Sequence, residues 1–366
     1  MAASPVAAVV VRCQAARRQH RTVAAMCRRL AGSARVTRVL AYRGWMIDLE
    51  AIQEARRRVA GLVHRTPLVR SSTLSESSGK NVYLKLELFQ KTGSFKPRGA
   101  FNQLRILMDE TGADQFVGVS GGNFAQGLAY AGTVLGVSTT VVMPNTTPAN
   151  YVAATRGYGG TVEFAGDIAA AMDRSHELAE AGATLAHPFD HPAMMAGDGT
   201  LGLELVEDVP EVTDVFISVG GGGFITGVGS AVHALRPETR IWAVETDGAQ
   251  VLHDSLAAGR ALSMTPTSLA RTLGSPYLSS VAYDFASQHV HEALVVTDAM
   301  AYTAAVYLLE RAKVLPELAA ACTLAAFQGV AERLGPSDHV VLVLCGGNVS
   351  AADLFDYQQR FGRATS

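Results

Sequence analysis

From Met46 onward, apolar residues alternate between two rhythms. Stretches with apolar positions every three or four residues predict amphipathic helices at Ile47–Leu62, Pro97–Asp109 and Phe124–Leu135. Short runs rich in Val, Ile and Phe predict strands at Val82–Phe89, Gln115–Val119, Thr139–Met143, Thr161–Phe164 and Thr184–His187. The same pattern recurs at Val215–Val219, Ile241–Val244, Leu294–Val296 and His339–Leu344, with helical patterns in most of the gaps. Such alternation predicts an α/β fold with mostly parallel sheets flanked by helices. The βα units between 115 and 188 are compact, which predicts a second, smaller sheet domain there. The larger domain would then comprise 46–114 and 189–366. Neither an internal repeat nor a low-complexity linker interrupts the pattern.

Composition narrows the setting. Hydrophobic residues make up 48% of the 366 and charged residues 17%, which predicts a well-packed core. No apolar run approaches the roughly 20 residues that span a bilayer, so no membrane role is expected. Cys13, Cys27, Cys322 and Cys345 show neither CxxC nor zinc spacing, so a reducing, cytoplasmic setting is expected. The net charge of −2 hides an asymmetry: residues 1–45 hold nine Arg and no acid. The remainder has 22 basic against 33 acidic residues, a poor nucleic-acid binder. The basic segment reads as a transit peptide, as a nucleic-acid or membrane arm, or as an extension ahead of a start at Met46. On each reading it stands outside the fold.

Ligands of open α/β sheets gather at the carboxyl ends of strands, so the turns after strands carry the chemistry. Only five of the 31 basic side chains are Lys, and Lys96 lies just before Pro97, a residue suited to the first helical position. Lys forms a Schiff base with an aldehyde, which Arg cannot do, and a helix start favours its neutral amine. An ordinary solvated Lys would read the same way. Ser120, Gly121, Gly122, Asn123 and Phe124 open a helix after a strand, a place for a carboxylate or phosphate or a plain capped turn. Gly220, Gly221, Gly222 and Gly223 form a run that predicts an amide-lined phosphate nest, with neither a dinucleotide nor a P-loop frame. Cys345 ends the last strand, as a core residue or as an uncharged partner for a ring nitrogen. His187 and His191 have metal-like spacing, but Pro188 and Pro192 break the helix that a metal pair would need, so no metal site is expected.

Taken together, these turns resemble the fold type II pyridoxal-phosphate enzymes (tryptophan synthase β-like), most closely the threonine/serine dehydratase group that includes serine racemase. The resemblance spans about 46–356. It rests on His64-Arg65-Thr66-Pro67-Leu68, Ser94-Phe95-Lys96, Ser120 to Gln126, His187-Pro188-Phe189-Asp190, Ala196-Gly197 with Gly199-Thr200, the tetraglycine run and Cys345 to Asn348. It implies that Lys96 holds the cofactor as a Schiff base and, once freed, takes the Cα proton. Phe95 would pack on the pyridine ring, Gly220 to Gly223 would bind the phosphate, Asn123 would meet the ring hydroxyl and Cys345 the ring nitrogen. Amides of Ser120 to Phe124 would hold the substrate carboxylate. The domain of residues 115–188 would be mobile. The implied reaction removes water from L-threonine or L-serine and gives 2-oxobutanoate or pyruvate plus ammonia.

Ser94 sits at the position that serine racemase uses as its opposite-face base, so a racemase is the alternative. A dehydratase for another β-hydroxy amino acid and a catalytically silent small-molecule-binding protein are the others. Several positions depart from the family pattern: Phe124 replaces a usual His, Asp198 a usual Gln, and Glu317 precedes Leu318 rather than Pro. Glu245 and Ala249 match a divalent-cation site of related enzymes, whereas Val251 does not. The chain ends at Ser366, soon after the last motif, so no C-terminal regulatory domain is expected. By analogy a homo-oligomer, dimer or tetramer, is expected, with a small amino acid as its only other partner.

Overall fold

The computed structural model describes residues 47–362. The basic extension expected over residues 1–45 lies outside the described residues. The first half of the fold runs α1 (Leu49–Val59), β1 (Leu68–Arg70), α2 (Ser72–Ser78), β2 (Asn81–Leu86), α3 (Pro97–Thr111), β3 (Gln115–Val119), α4 (Asn123–Leu135), β4 (Ser138–Met143), α5 (Ala149–Gly157), β5 (Thr161–Phe164), α6 (Ile168–Glu180) and β6 (Thr184–Leu185). The second half runs α7 (Pro192–Asp208), β7 (Asp214–Ser218), α8 (Gly223–Leu235), β8 (Arg240–Thr246), α9 (Val251–Ala258), α10 (Ser280–His289), β9 (Val290–Val296), α11 (Asp298–Tyr307), α12 (Leu318–Val330), β10 (His339–Leu344) and α13 (Ala351–Phe361).

Two sheets result. The larger has six strands in the order β1-β2-β10-β7-β8-β9, and the smaller has four in the order β5-β4-β3-β6. Every pairing is parallel except β1 with β2. Parallel strands covered on both faces are apolar throughout, and β10 follows this: Val340 to Leu344 are fully buried. The α12 helix covers the large sheet and is buried along nearly its whole length. Phe101 and Leu104 of α3 pack with Phe124 and Leu128 of α4 and Phe116 of β3 in a second core under the small sheet. Among the described residues no helix is long and apolar enough to cross a membrane.

Where the elements differ from expectation, the cause is local. The run expected as one strand over Val82–Phe89 stops at Leu86 and turns through a short 3-10 segment, Glu87–Phe89. Glu87 faces inward there, and its carboxylate accepts from the Arg98 guanidinium at 2.8 Å. The three-residue β1 escaped the pattern because it is a short edge strand directly after Pro67. The strand expected at Leu294–Val296 starts earlier, at Val290, where His291 and Glu292 hide its alternation. Side chains cap several helix starts: among them, Asp48 accepts from Ala51 N at the head of α1, and Ser350 with Asp353 forms a capping box for α13.

Candidate active site

Lys96 occupies the cap position of α3, with Pro97 as the first helical residue. The residues before it are sewn to the end of β10. Phe95 N–H donates to Cys345 O at 3.0 Å, Gly347 N–H to Gly93 O at 2.9 Å, and Ser94 pairs with Gly346 as an isolated bridge. This fixes the Lys96 backbone between the two halves of the sequence. Its Nζ donates to the carbonyl of Pro188 at 2.6 Å. The same nitrogen lies 4.8 Å from the Phe95 ring centroid and 6.0 Å from that of Phe124. Burial among these groups pushes the ammonium pKa down, against opposing attraction from Asp198 and Cys345. Phe124, where the family pattern has His, thus gives this amine an apolar wall.

Asn123 is the first residue of α4; its Nδ2 donates to Glu317 Oε1 and its Oδ1 accepts from Asn348 Nδ2, each at 2.8 Å. Ser120 Oγ accepts the Gly122 N–H at 3.1 Å and shapes the turn. Gly121 faces Thr147, where a Cβ would lie 2.7 Å from the Thr147 hydroxyl. Cys345 is buried, and Ser218 Oγ donates to its sulfur at 3.3 Å. Burial pushes its thiol up to about 12, so it is neutral. The Phe95 ring stacks on Phe224, with centroids 3.8 Å apart.

The tetraglycine run caps α8. Gly222 has φ +91°, and a Cβ there would strike Ala282. Side chains at Gly221 and Gly223 would strike the ring and the backbone of Phe189. Neighbouring protein atoms therefore require glycine at three of these positions. The first-turn amides of α8 have no intrahelical partner and lie at the helix's positive end. The His187–Asp190 segment links this loop to Lys96. Asp190 N–H donates to His187 Nδ1 at 2.8 Å, and Tyr277 reaches both His187 and Asp190. Burial lowers the His187 pKa to about 4, a neutral ring serving as an acceptor in a turn. His191 caps α7 through Ala193 N–H. Glu245 accepts from the Leu252 and His253 amides, both at 2.8 Å, and so caps α9.

Two groups were given no role by the sequence reading. The first is Glu317, buried, with Thr272 and Asn123 donating to one carboxylate oxygen while the other has no partner. Burial raises its pKa to about 7. The second is a buried ion network at the first turn of α3. Arg98 donates to Glu87 Oε2 and Glu204 Oε1 at 2.8 Å each, and Lys85 donates to Glu204 Oε2 at 2.7 Å. The side chains of Lys85, Arg98 and Glu87 have no exposure at all. The scarcity of lysine was the available signal for Lys85, since an Arg-rich chain that keeps a Lys has a reason for it.

These residues fit pyridoxal phosphate. A poised amine meets an aldehyde's requirement, helix-start amides without intrahelical partners meet a phosphate's, and a neutral thiol meets an uncharged ring nitrogen's. Beside them the buried hydroxyl of Ser94 and one oxygen of Glu317 lack partners, as groups awaiting a polar ligand do.

Comparison with known proteins agrees. Residues 59–346 match the model of the family described as pyridoxal-phosphate dependent enzyme. An L-threonine ammonia-lyase of Thermotoga maritima is 39% identical over 311 residues, covering 83% of this chain and 76% of its own. Among solved structures, maize serine racemase superposes with TM-score 0.80 at 32% identity, covering 87% of this chain and 98% of that one. The T.th. threonine deaminase does so with TM-score 0.75 at 36% identity, covering 83% and 99%. The fold, the residues around Lys96 and these likenesses together place the chain in the family of pyridoxal-phosphate dependent enzymes.

Proposed function

We propose that this chain is a threonine/serine ammonia-lyase, which removes water from L-threonine or L-serine and releases ammonia and a 2-oxo acid. One observation carries the reading: Lys96 presents a half-buried amine, hydrogen-bonded to a backbone carbonyl and flanked by two aromatic rings. Bound at this site, pyridoxal phosphate supplies an aldehyde for that amine and a conjugated ring that accepts electrons from Cα. Lys96 anchors the cofactor and, when released, takes the Cα proton on Nζ. Gly220, Gly221, Gly222 and Gly223 hold the phosphate at the head of α8. Phe95 packs along the ring, Asn123 meets its hydroxyl, and Cys345 faces its nitrogen without charge. The amides of Ser120, Gly121, Gly122, Asn123 and Phe124 bind the substrate carboxylate. Curated L-threonine ammonia-lyases and dehydratases at 35–39% identity support the choice of substrate class.

The test is a panel of L- and D-β-hydroxy amino acids assayed for 2-oxo acid and for inversion. L-threonine and L-serine should give oxo acid and ammonia in equal amounts, and a panel without oxo acid overturns the reading. A second reading, amino-acid racemase, draws on the unpartnered buried hydroxyl of Ser94, two residues before the amine-bearing Lys96. Inversion without oxo acid would establish it, and Ser94→Ala would then abolish inversion. The proposal also includes a cytoplasmic homo-oligomer, dimer or tetramer, and a small domain of residues 115–188 that moves against the rest when substrate binds. Light scattering reads the oligomeric state, and hydrogen exchange with and without substrate reads the domain motion.

A further inference from the structure

Glu317 takes the cap position of α12, where an acceptor side chain ordinarily receives a first-turn amide, yet it receives none. Its carboxyl group turns instead toward the head of α4. Oε1 accepts from Asn123 Nδ2 at 2.8 Å and from Thr272 Oγ1 at 3.0 Å. Gly346 makes room for this: a Cβ there would lie 2.7 Å from Glu317 Oε1 and 3.1 Å from Asn123 Nδ2. Asn348 holds the other end of the Asn123 amide. Its Nδ2 donates to Asn123 Oδ1 and to the Thr92 carbonyl, both at 2.8 Å. Tyr151, on α5, donates to the Asn348 carbonyl at 2.6 Å and ties that turn in place. Asn123 and Glu317 are both buried.

A side-chain amide can lie either way round unless its neighbours tell oxygen from nitrogen. Here groups that only accept decide the matter at both ends. The Thr92 carbonyl requires the Asn348 nitrogen, whose second hydrogen requires the Asn123 oxygen. Glu317 Oε1 requires the Asn123 nitrogen. It does so in either protonation state, because a proton on the carboxyl group would sit on Oε2, the oxygen without a partner. The two requirements agree, and they use one of the two hydrogens on Asn123 Nδ2. The second has no acceptor among the described residues.

We propose that Glu317 is a positioning residue for the cofactor: it pins the nitrogen end of Asn123, so that the ring hydroxyl meets a donor and is held as the anion. A hydrogen bond donated to the charged form favours that form. Turned the other way, the amide would offer the hydroxyl an oxygen and keep its proton on the ring. Without Glu317 the amide keeps a single anchor, at its oxygen, about which the nitrogen swings free. The inference rests on pyridoxal phosphate joining Lys96 and on Asn123 meeting its ring hydroxyl, as the proposed function has it.

The test compares full-length wild type, Glu317→Met, Glu317→Gln and Asn123→Leu, each loaded with pyridoxal phosphate, by absorption spectrum and by cofactor dissociation constant. A bound ring with its oxygen ionised absorbs in the visible, and one that keeps its hydroxyl proton absorbs in the near ultraviolet. Methionine keeps the length of the side chain and loses the acceptor. The ratio of the visible to the near-ultraviolet band should fall about tenfold in Glu317→Met, the weight of one charge-assisted hydrogen bond, with a rise in the dissociation constant. Asn123→Leu, which has no donor, should reach the same limit. Glutamine still accepts from Asn123, so Glu317→Gln should keep the wild-type ratio. Glu317→Ala, read in the same way, takes the place of the methionine variant if urea unfolding shows that one not to fold. Wild-type bands and affinity in Glu317→Met overturn the proposal. So does a Glu317→Gln ratio as low as that of Glu317→Met, which would make charge and not the acceptor the cause. A wild type that binds no pyridoxal phosphate fails earlier and overturns the reading of the site itself.

Discussion

Lys85 and Lys96 are two of only five lysines in the chain, and the structure treats them in opposite ways. Lys85 is fully buried and satisfied, with Glu204 at 2.7 Å and the Thr66 carbonyl at 2.9 Å. Lys96 has one carbonyl and two aromatic faces. The same contrast holds across the first turn of α3. On one side Arg98 reaches two carboxylates, and on the other Asp198, Ser94 and Glu317 have oxygens without partners. A completed buried network fixes geometry, because removing any member strands another's charge. An incomplete one stores binding and proton-transfer capacity. Placed side by side, the first holds the second in position.

Breaking the incomplete side should abolish function and spare the fold. Lys96→Ala is expected to cut ammonia release by on the order of 10³-fold or more while circular dichroism stays unchanged. The purified wild type should be yellow with cofactor and lose its visible band on borohydride treatment, and the variant should do neither. Turnover near wild type in Lys96→Ala would remove the distinction between the two lysines. Breaking the complete side should do the reverse. Arg98→Met strands Glu87, leaves Glu204 with Lys85 alone, and should cost about 3–5 kcal/mol in urea unfolding. Lys85→Met leaves Glu204 with Arg98 and should cost less, about 1–3 kcal/mol, with activity per folded molecule retained. A smaller effect probes the phosphate cradle. Gly222→Ala must adopt φ +91° against Ala282, should cost about 1–3 kcal/mol, and should weaken cofactor binding in a spectroscopic titration. The smallest change lies far from both regions: Ser350→Ala removes the α13 capping box and should cost about 1 kcal/mol with unaltered turnover.

Much of this was legible in the sequence because it is local. Gln115–Val119 is a strand with the expected limits, and Pro97 starts α3 as its fixed φ favours. The turns after strands pointed to Lys96, Asn123, the glycine run and Cys345; in the structure Cys345 O meets Phe95 N beside Lys96, and Phe189, next to the Pro188 that Lys96 reaches, packs on the glycine run. The ion network was not legible, since Arg98 and Glu204 are 106 positions apart and a charged residue in isolation reads as a solvated face. Glu317 was noted only as a departure from a pattern; its meeting with Asn123 crosses 194 positions. Asp198 was seen as a substitution, but its bare carboxyl depends on how tightly Gly99 and Gly197 let two helices approach. Three of the four glycines in the run had a packing reason that composition could not distinguish from a ligand's.

The stitching of Gly93–Phe95 to Cys345–Gly347 bears on how the protein is made. Asn348 also reaches back across 256 positions to the carbonyl of Thr92. A ribosome that has delivered Lys96 has most of the chain still to translate before the strand that seats this lysine exists. Cofactor capture is then a late event, and pulse-labelled nascent chains should turn borohydride-reactive only after β10 has emerged. Premature termination between Lys96 and β10 yields a product with its lysine but without a site, so the vitamin-derived cofactor is drawn only by finished molecules.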